Sequence, residues 1–273
     1  MVHDGPVTAE DASWVPSDVD VSKPNPARVY DYLLGGANNF DVDRDLAKRL
    51  IEIVPDAAFV VVENRSFLRR AVRFLAEAGI DQFLDLGSGI PTVGNTHQVV
   101  QAINPDCKVL YVDNEAVAVA HSELMLADTP NADILRQDVR QVDAVLNDPK
   151  TRELLDFSRP VAVLMFAVIH FMPREFNPGK MVTAYRDATV AGSYLALSHG
   201  TSDGRPELDE LAEEYSSRAT ADAVMRNRAE VQEFFEGYEL VEPGLVFSAE
   251  WRSELDVCEP WRSAVYAGVG KKA

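Results

Sequence analysis

The stretch Phe83-Leu84-Asp85-Leu86-Gly87-Ser88-Gly89-Ile90-Pro91-Thr92 decides the fold. Its apolar residues build a short strand, and the small residues after them let the backbone turn close to a ligand before a helix begins. Taken alone, this Gly-x-Gly turn is equally an ordinary strand-to-helix connection. Two later acids change its meaning. Val109-Leu110-Tyr111-Val112-Asp113 reads as a second strand whose terminal acid stands 24 residues past Gly89, close to the ~20 at which an acid meets a ribose hydroxyl pair. Gln137-Asp138-Val139 then puts an acid at the end of a third strand on the same rim, where it suits an exocyclic amine.

Outward from this turn, short apolar runs alternate with amphipathic segments, the pattern of βαβ units and a mainly parallel sheet. Strands are predicted at 82–86, 108–113, 132–136, 161–168 and 193–199, and helices near 95–104, 115–127, 141–156 and 178–191. The run 161–168 is apolar throughout, as a central strand covered on both faces should be. Helices near 206–217 and 221–236 and strand-like segments at 238–248 and 263–269 follow; they fit an antiparallel end to the same sheet. Upstream, a helix over 27–34 stops at Gly35-Gly36, a second is capped by Asp41 or Asp43, and a third runs from an Asn64 N-cap to Gly79. Residues 1–21 read as a flexible leader. The expectation is one α/β domain over 22–273, helices on both faces, with a helical cap at 22–80.

The loop chemistry narrows the ligand. A dinucleotide fingerprint wants a third Gly three residues after the second, to admit a pyrophosphate, and that place holds Thr92. Asp85 puts negative charge at the strand end, which repels phosphate and suits an ammonium. S-adenosylmethionine carries a sulfonium, an ammonium and no phosphate.

LDLGSG at 84–89, YVDNE at 111–115 and QDV at 137–139 resemble the successive binding motifs of class I S-adenosylmethionine-dependent methyltransferases. More narrowly, ARVYDYLLGGANNFDVDR at 27–44, ENRSFLRRAVRFLAEAGIDQFLDLGSGIPT at 63–92 and FFEGYELVEPGLV at 234–246 resemble an actinobacterial family of S-adenosyl methyltransferases, formerly a domain of unknown function. The resemblance implies the seven-stranded Rossmann-like sheet of the class, with an antiparallel terminal strand, and a bound S-adenosylmethionine. It implies that Gly87 and Gly89 approach the methionyl part, Asp113 holds the ribose hydroxyls and Asn114 lines the adenine. Asp138 and Val139 would sit by the adenine amino group and ring, and Phe166 would face the ligand. The missing third Gly departs from many class I enzymes. Arg28, Tyr32, Asn38, Asn39 and Asp43 are either a helix and turn packed on the sheet edge or a cap over the cofactor, with Arg28 or Arg65 pairing with the methionyl carboxylate. Arg65 is the stronger candidate, as a residue expected to begin the helix before the first strand.

Lys plus Arg number 26 against 44 Asp plus Glu, a formal net charge of -18, which argues against nucleic acid as partner or acceptor. Cys107 and Cys258 lie outside any CxxC spacing, and the His residues have no metal-ligand spacing, so neither disulfide framework nor metal site is expected. No signal peptide or membrane-spanning run is present, and the expected location is the cytoplasm. Methyl transfer needs alignment above all; if the acceptor must lose a proton, His170 and His199, at the ends of the fourth and fifth strands, are the candidate bases. A lone His at a strand end is more often structural. The reading is a methyltransferase acting on a small-molecule acceptor. Its rivals are a non-catalytic S-adenosylmethionine-binding regulatory protein and a nicotinamide-dependent oxidoreductase, the latter disfavoured by Thr92 and Asp85.

Overall fold

The computed structural model describes residues 19–92, 94–254 and 256–273; residues 1–18 of the expected leader lie outside them. Three helices precede the sheet. Helix α1 (Pro26–Leu33) starts at Asn25, whose side chain accepts from the Ala27 N–H, with Pro26 pre-set for the first turn. Helix α2 (Asp41–Ile53) is preceded by Phe40 as its N-cap residue, and Asp43 reaches back to accept from the Phe40 N–H at 2.8 Å. Helix α3 (Ala57–Glu77) begins eight residues earlier than the apolar stripe suggested. Asn64 is therefore not a cap but a buried residue mid-helix, and Arg65 lies one position beyond it rather than at a helix start. Pro55-Asp56 supplies the true boundary, and Gly79 at φ +92 ends the helix.

The sheet then follows as β1 (Gln82–Leu86), α4 (Thr96–Gln101), β2 (Lys108–Asp113), α5 (Ala116–Leu126), β3 (Ala132–Arg136), α6 (Val142–Asn147), α7 (Pro149–Leu154), β4 (Ala162–Phe166), α8 (Pro178–Asp187) and β5 (Tyr194–Gly200). It closes with α9 (Glu207–Arg218), α10 (Arg228–Glu233), β6 (Tyr238–Leu240), β7 (Val246–Phe247) and β8 (Val265–Lys272). The order is β3-β2-β1-β4-β5-β8-β6, with β7 also on β8. Strands β1 to β5 pair in parallel, and β8 runs antiparallel to β5, β6 and β7. This is the Rossmann-like class I methyltransferase arrangement, with eight strands rather than seven.

Side-chain alternation sends Ala162, Leu164 and Phe166 of β4 into one apolar layer with α3, and Val163 and Met165 into another with Tyr185 of α8. The strand is buried on both faces, as its sequence requires. Two expected helices depart most from the prediction. Residues 141–156 split at Asp148-Pro149, because a residue before proline prefers an extended backbone; Asp148 takes φ -60, ψ 139 and caps α7. Of 221–236 only α10 is helical. The chain before it crosses the strand tips instead, with Thr220 N–H on Pro24 O at 3.0 Å and Val224 N–H on His170 O at 2.8 Å.

Candidate active site

Strand order reverses between β1 and β4, and a cleft of about 600 Å³ opens there at the carboxyl ends of the strands, where open α/β sheets bind ligands. Its floor is the turn Gly87–Ile90, and its sides are the tips of β2, β3 and β4. Its roof is Asn25 and the first turn of α1, with Arg65 of α3 and residues 219–222. Gly87 and Gly89 take φ +72 and +67, which glycine adopts without steric cost. A side chain at Gly87 would overlap Val168, whereas Gly89 has only the Ala27 methyl near it, 4.0 Å from its built Cβ position.

Asp113, at the tip of β2, is buried. One carboxylate oxygen accepts from the Gly89 N–H at 2.7 Å and the other from the Glu115 N–H at 2.9 Å. A carboxylate has about four acceptor positions, so each oxygen keeps one for a ligand hydroxyl. Asp85 is buried at the end of β1 and accepts from the Thr96 hydroxyl at 2.7 Å. Burial pushes its pKa up to about 6, against the pull of Thr96 and Arg65 and with a further push from Asp113. Arg65 donates through Nη2 to Thr92 at 2.8 Å and Asn95 at 3.3 Å. Its Nε and the Ser88 hydroxyl are buried polar atoms with no hydrogen-bond partner among the described residues.

The S-adenosyl methyltransferase family profile matches residues 12–273. The chain belongs to the S-adenosyl methyltransferase family. A crystal structure of a candidate methyltransferase from Thermobifida fusca YX is 42% identical, with a TM-score of 0.90, covering 96% of this chain and 100% of that one. A DUF574 family protein from Streptomyces avermitilis MA-4680 is 36% identical, with a TM-score of 0.90 and coverages of 93% and 99%. Human N-acetylserotonin methyltransferase shares the fold at 14% identity and a TM-score of 0.51, covering 92% of this chain and 63% of that one. No curated protein matches the sequence. S-adenosylmethionine is thus the methyl donor, and the donors left unpaired at Arg65 and Ser88, with carboxylates at Asp85 and Asp113, fit its charge pattern.

Not every residue singled out in this S-adenosyl methyltransferase reaches the cleft. Asn114, Val139 and Phe166 line it, as does Asp138. The Asp138 carboxylate is gripped by Arg140 at 2.6 to 3.0 Å; burial raises its pKa, but the guanidinium bonds outweigh that and leave it below the usual value. Arg28 also lines the cleft, yet its donors are engaged by Asp43, Asp20 O and Lys23 O, with Glu115 3.5 Å away. Of these two arginines, Arg65 is the one with an unpaired buried donor among the described residues. Tyr32 packs into the apolar cap beside Leu46 and Leu50, and Asn39 is tied to Asp31, Gly36 and Arg44; neither borders the cleft. His199 is fully buried, its Nδ1 on Gly200 O at 2.7 Å and its Nε2 on an Arg226 N–H at 2.8 Å. Those partners assign the Nδ1–H tautomer, and burial, His170 and Arg226 hold its pKa well below the ordinary value, so it has no lone pair to offer as a base. His170 borders a smaller adjoining chamber rather than the cleft. Sequence reading missed Thr96, Arg140, Tyr30 and Asn64. Asn64 carried a signal: a polar residue three and four positions before Phe67 and Leu68, on the stripe that faces the core. Among the described residues no group of three or more His, Cys, Asp or Glu is placed to hold a metal, and no helix is long and apolar enough to cross a membrane.

Proposed function

We propose that this S-adenosylmethionine-dependent methyltransferase methylates a small molecule, and that the cleft between the β1 and β4 tips is where it does so. In this reading Asp113 holds the ribose hydroxyls through its two remaining acceptor positions. Arg65 Nε and the Ser88 hydroxyl take the methionyl carboxylate, and Asp85 attracts the ammonium, directly or through water. Gly87 and Gly89 keep the loop backbone close, Asn114 and Val139 border the adenine, and Asp138 offers the amino group an acceptor shared with Arg140. Phe166 closes the wall beneath. The donor supplies an electrophilic methyl carbon on sulfur; as the acceptor's lone pair bonds to it, the carbon–sulfur pair returns to sulfur and any acceptor proton leaves to water.

The observation that carries the reading is the pair of buried, unpartnered donors at Arg65 and Ser88 opposite the doubly anchored Asp113. Unpaired buried donors are costly, and a carboxylate is the group that suits both. A small acceptor is favoured by the roof over the cleft and by the acidic chain. We take residues 22–273 as one unit, since the cleft is lined by the N-terminal cap, the sheet and residues 219–222 together. The test is methyl release from S-adenosylmethionine over a panel of metabolites: turnover with a soluble small molecule supports the reading, and turnover confined to nucleic acid or protein contradicts it.

A further inference from the structure

Next to the cleft, under the cap, lies a second chamber of about 140 Å³ walled by α1, α2, α3, α9 and the tips of β4 and β5. Pro26, Tyr30, Asn64, Ala167 and Phe171 line both spaces. Its size is decisive for what fits. An apolar protein cavity of roughly 150 Å³ takes up benzene, so this chamber holds one six-membered ring or its equal in volume.

The lining settles the charge of the occupant. Among the described residues no carboxylate, ammonium or guanidinium borders the chamber; aliphatic side chains such as Val29, Leu50, Val54 and Leu208 do. At the shared wall the polar groups satisfy each other. The Ser198 hydroxyl donates to Asn64 Oδ1 at 2.6 Å, Asn64 Nδ2 to Tyr30 Oη at 2.9 Å, and Tyr30 Oη to Val61 O at 3.0 Å. A charged guest would lose its hydration and gain no counter-charge.

Two donors interrupt this apolar lining. Tyr215 borders the chamber, and its hydroxyl is buried with no hydrogen-bond partner among the described residues. Burial and the nearby Asp43 keep that phenol protonated. His170 accepts the Gly200 N–H on Nδ1 at 3.3 Å, which leaves the ring proton on Nε2, and burial followed by Arg226 lowers its pKa to about 4. Ala167, on the shared wall, sits at φ +54, a strained conformation that persists where the surroundings fix it; Ser198 does so through its Oγ and its carbonyl, 3.0 and 3.2 Å from the Ala167 N–H.

We propose that this chamber is the acceptor's specificity pocket, and that it takes an uncharged, ring-sized group bearing a hydrogen-bond-accepting nitrogen or carbonyl oxygen, with Tyr215 and His170 as the donors. The inference rests on the cofactor reading above. Neither donor is a base at neutral pH, so the reacting atom attacks with its own lone pair from the cleft side of the wall.

Titration calorimetry tests this on the full chain saturated with S-adenosylhomocysteine at pH 8, using pyridine, benzene and benzoate as ligands. Pyridine is expected to bind about fivefold tighter than benzene, the worth of one net hydrogen bond, and benzoate not to bind. Tyr215→Phe lowers pyridine toward the benzene level, with His170 left as the remaining donor, while S-adenosylhomocysteine affinity and thermal stability stay intact, since the hydroxyl it removes has no partner among the described residues. Ala223→Phe fills the chamber and removes both ring ligands with the nucleoside still bound. Benzoate binding as tightly as pyridine, pyridine binding that survives Ala223→Phe, or a nucleoside complex that takes up no ring would overturn the inference. A protein silent to S-adenosylhomocysteine overturns the cofactor reading itself, an outcome distinct from a failure confined to the rings.

Discussion

At the residue scale the proposed site makes separable predictions for Asp113, Asp85 and Arg65. If Asp113 holds the ribose as proposed, Asp113→Ala removes two charge-assisted bonds, each worth about 1.5–3 kcal/mol, so S-adenosylhomocysteine affinity by calorimetry should fall by about a hundredfold or more. Arg65→Met weakens S-adenosylmethionine by about tenfold while adenosine, which lacks the carboxylate, binds as before. Asp85 gives a pH signature. Its pKa of about 6 lies above the ordinary 3.8, so the folded protein binds the proton more tightly than the unfolded chain. The residue therefore opposes folding above about pH 6, and that opposition fades as the pH falls toward 3.8. Pairing with an ammonium needs the ionised form, so cofactor affinity declines as pH drops through about 6, by up to roughly tenfold per unit. Asp85→Asn keeps an acceptor for Thr96, and thermal denaturation at pH 7.5 should show a higher Tm together with weaker binding, the trade expected of a functional charge held in a buried place. The glycines and rim acids were legible because their spacing is fixed by a short strand and a tight turn. The His pair was not: whether an imidazole is free or bonded depends on Arg226 and Gly200, brought to it only by the tertiary fold.

The cap is the element on which the roof of the cleft depends, and Arg28 is its latch. The guanidinium fixes the carbonyls of Asp20 and Lys23, at 3.1 and 2.7 Å, and pairs with Asp43 and Glu115, all three charges being nearly inaccessible. Arg28→Met leaves two buried carboxylates without their cation, which costs about 3–5 kcal/mol; the expected result is a clear fall in Tm and faster proteolysis near Ser22. Residues 27–44 gave this helix and turn from their Gly-Gly stop, but not the route by which Asp43 reaches Asn25 N–H at 2.9 Å. Helix α3 shows the opposite error. Its first two turns carry Val60 and Val61 in a run without clear period, so the stripe from Asn64 onward looked like a start.

Across the whole molecule, five parallel strands place every rim acid on one edge, and α1 to α3 fold back over that edge so that cleft and chamber share a wall. The parallel core was legible from its apolar runs. The position of β8 was not, because it enters between β5 and β6, a pairing of distant segments that no local pattern encodes. Relatives 42% and 36% identical keep this architecture over nearly the full chain, and the proposed ligand site lies at the reversal between β1 and β4. A crystal structure of the S-adenosylhomocysteine complex examines that placement most directly. The ribose hydroxyls should lie on the Asp113 carboxylate, the amino-acid carboxylate within hydrogen-bond distance of Arg65 Nε and Ser88 Oγ, and the sulfur toward Tyr30 and Ala167. A nucleoside bound elsewhere, or seated in the cleft with Asp113 and Arg65 both untouched, would contradict it.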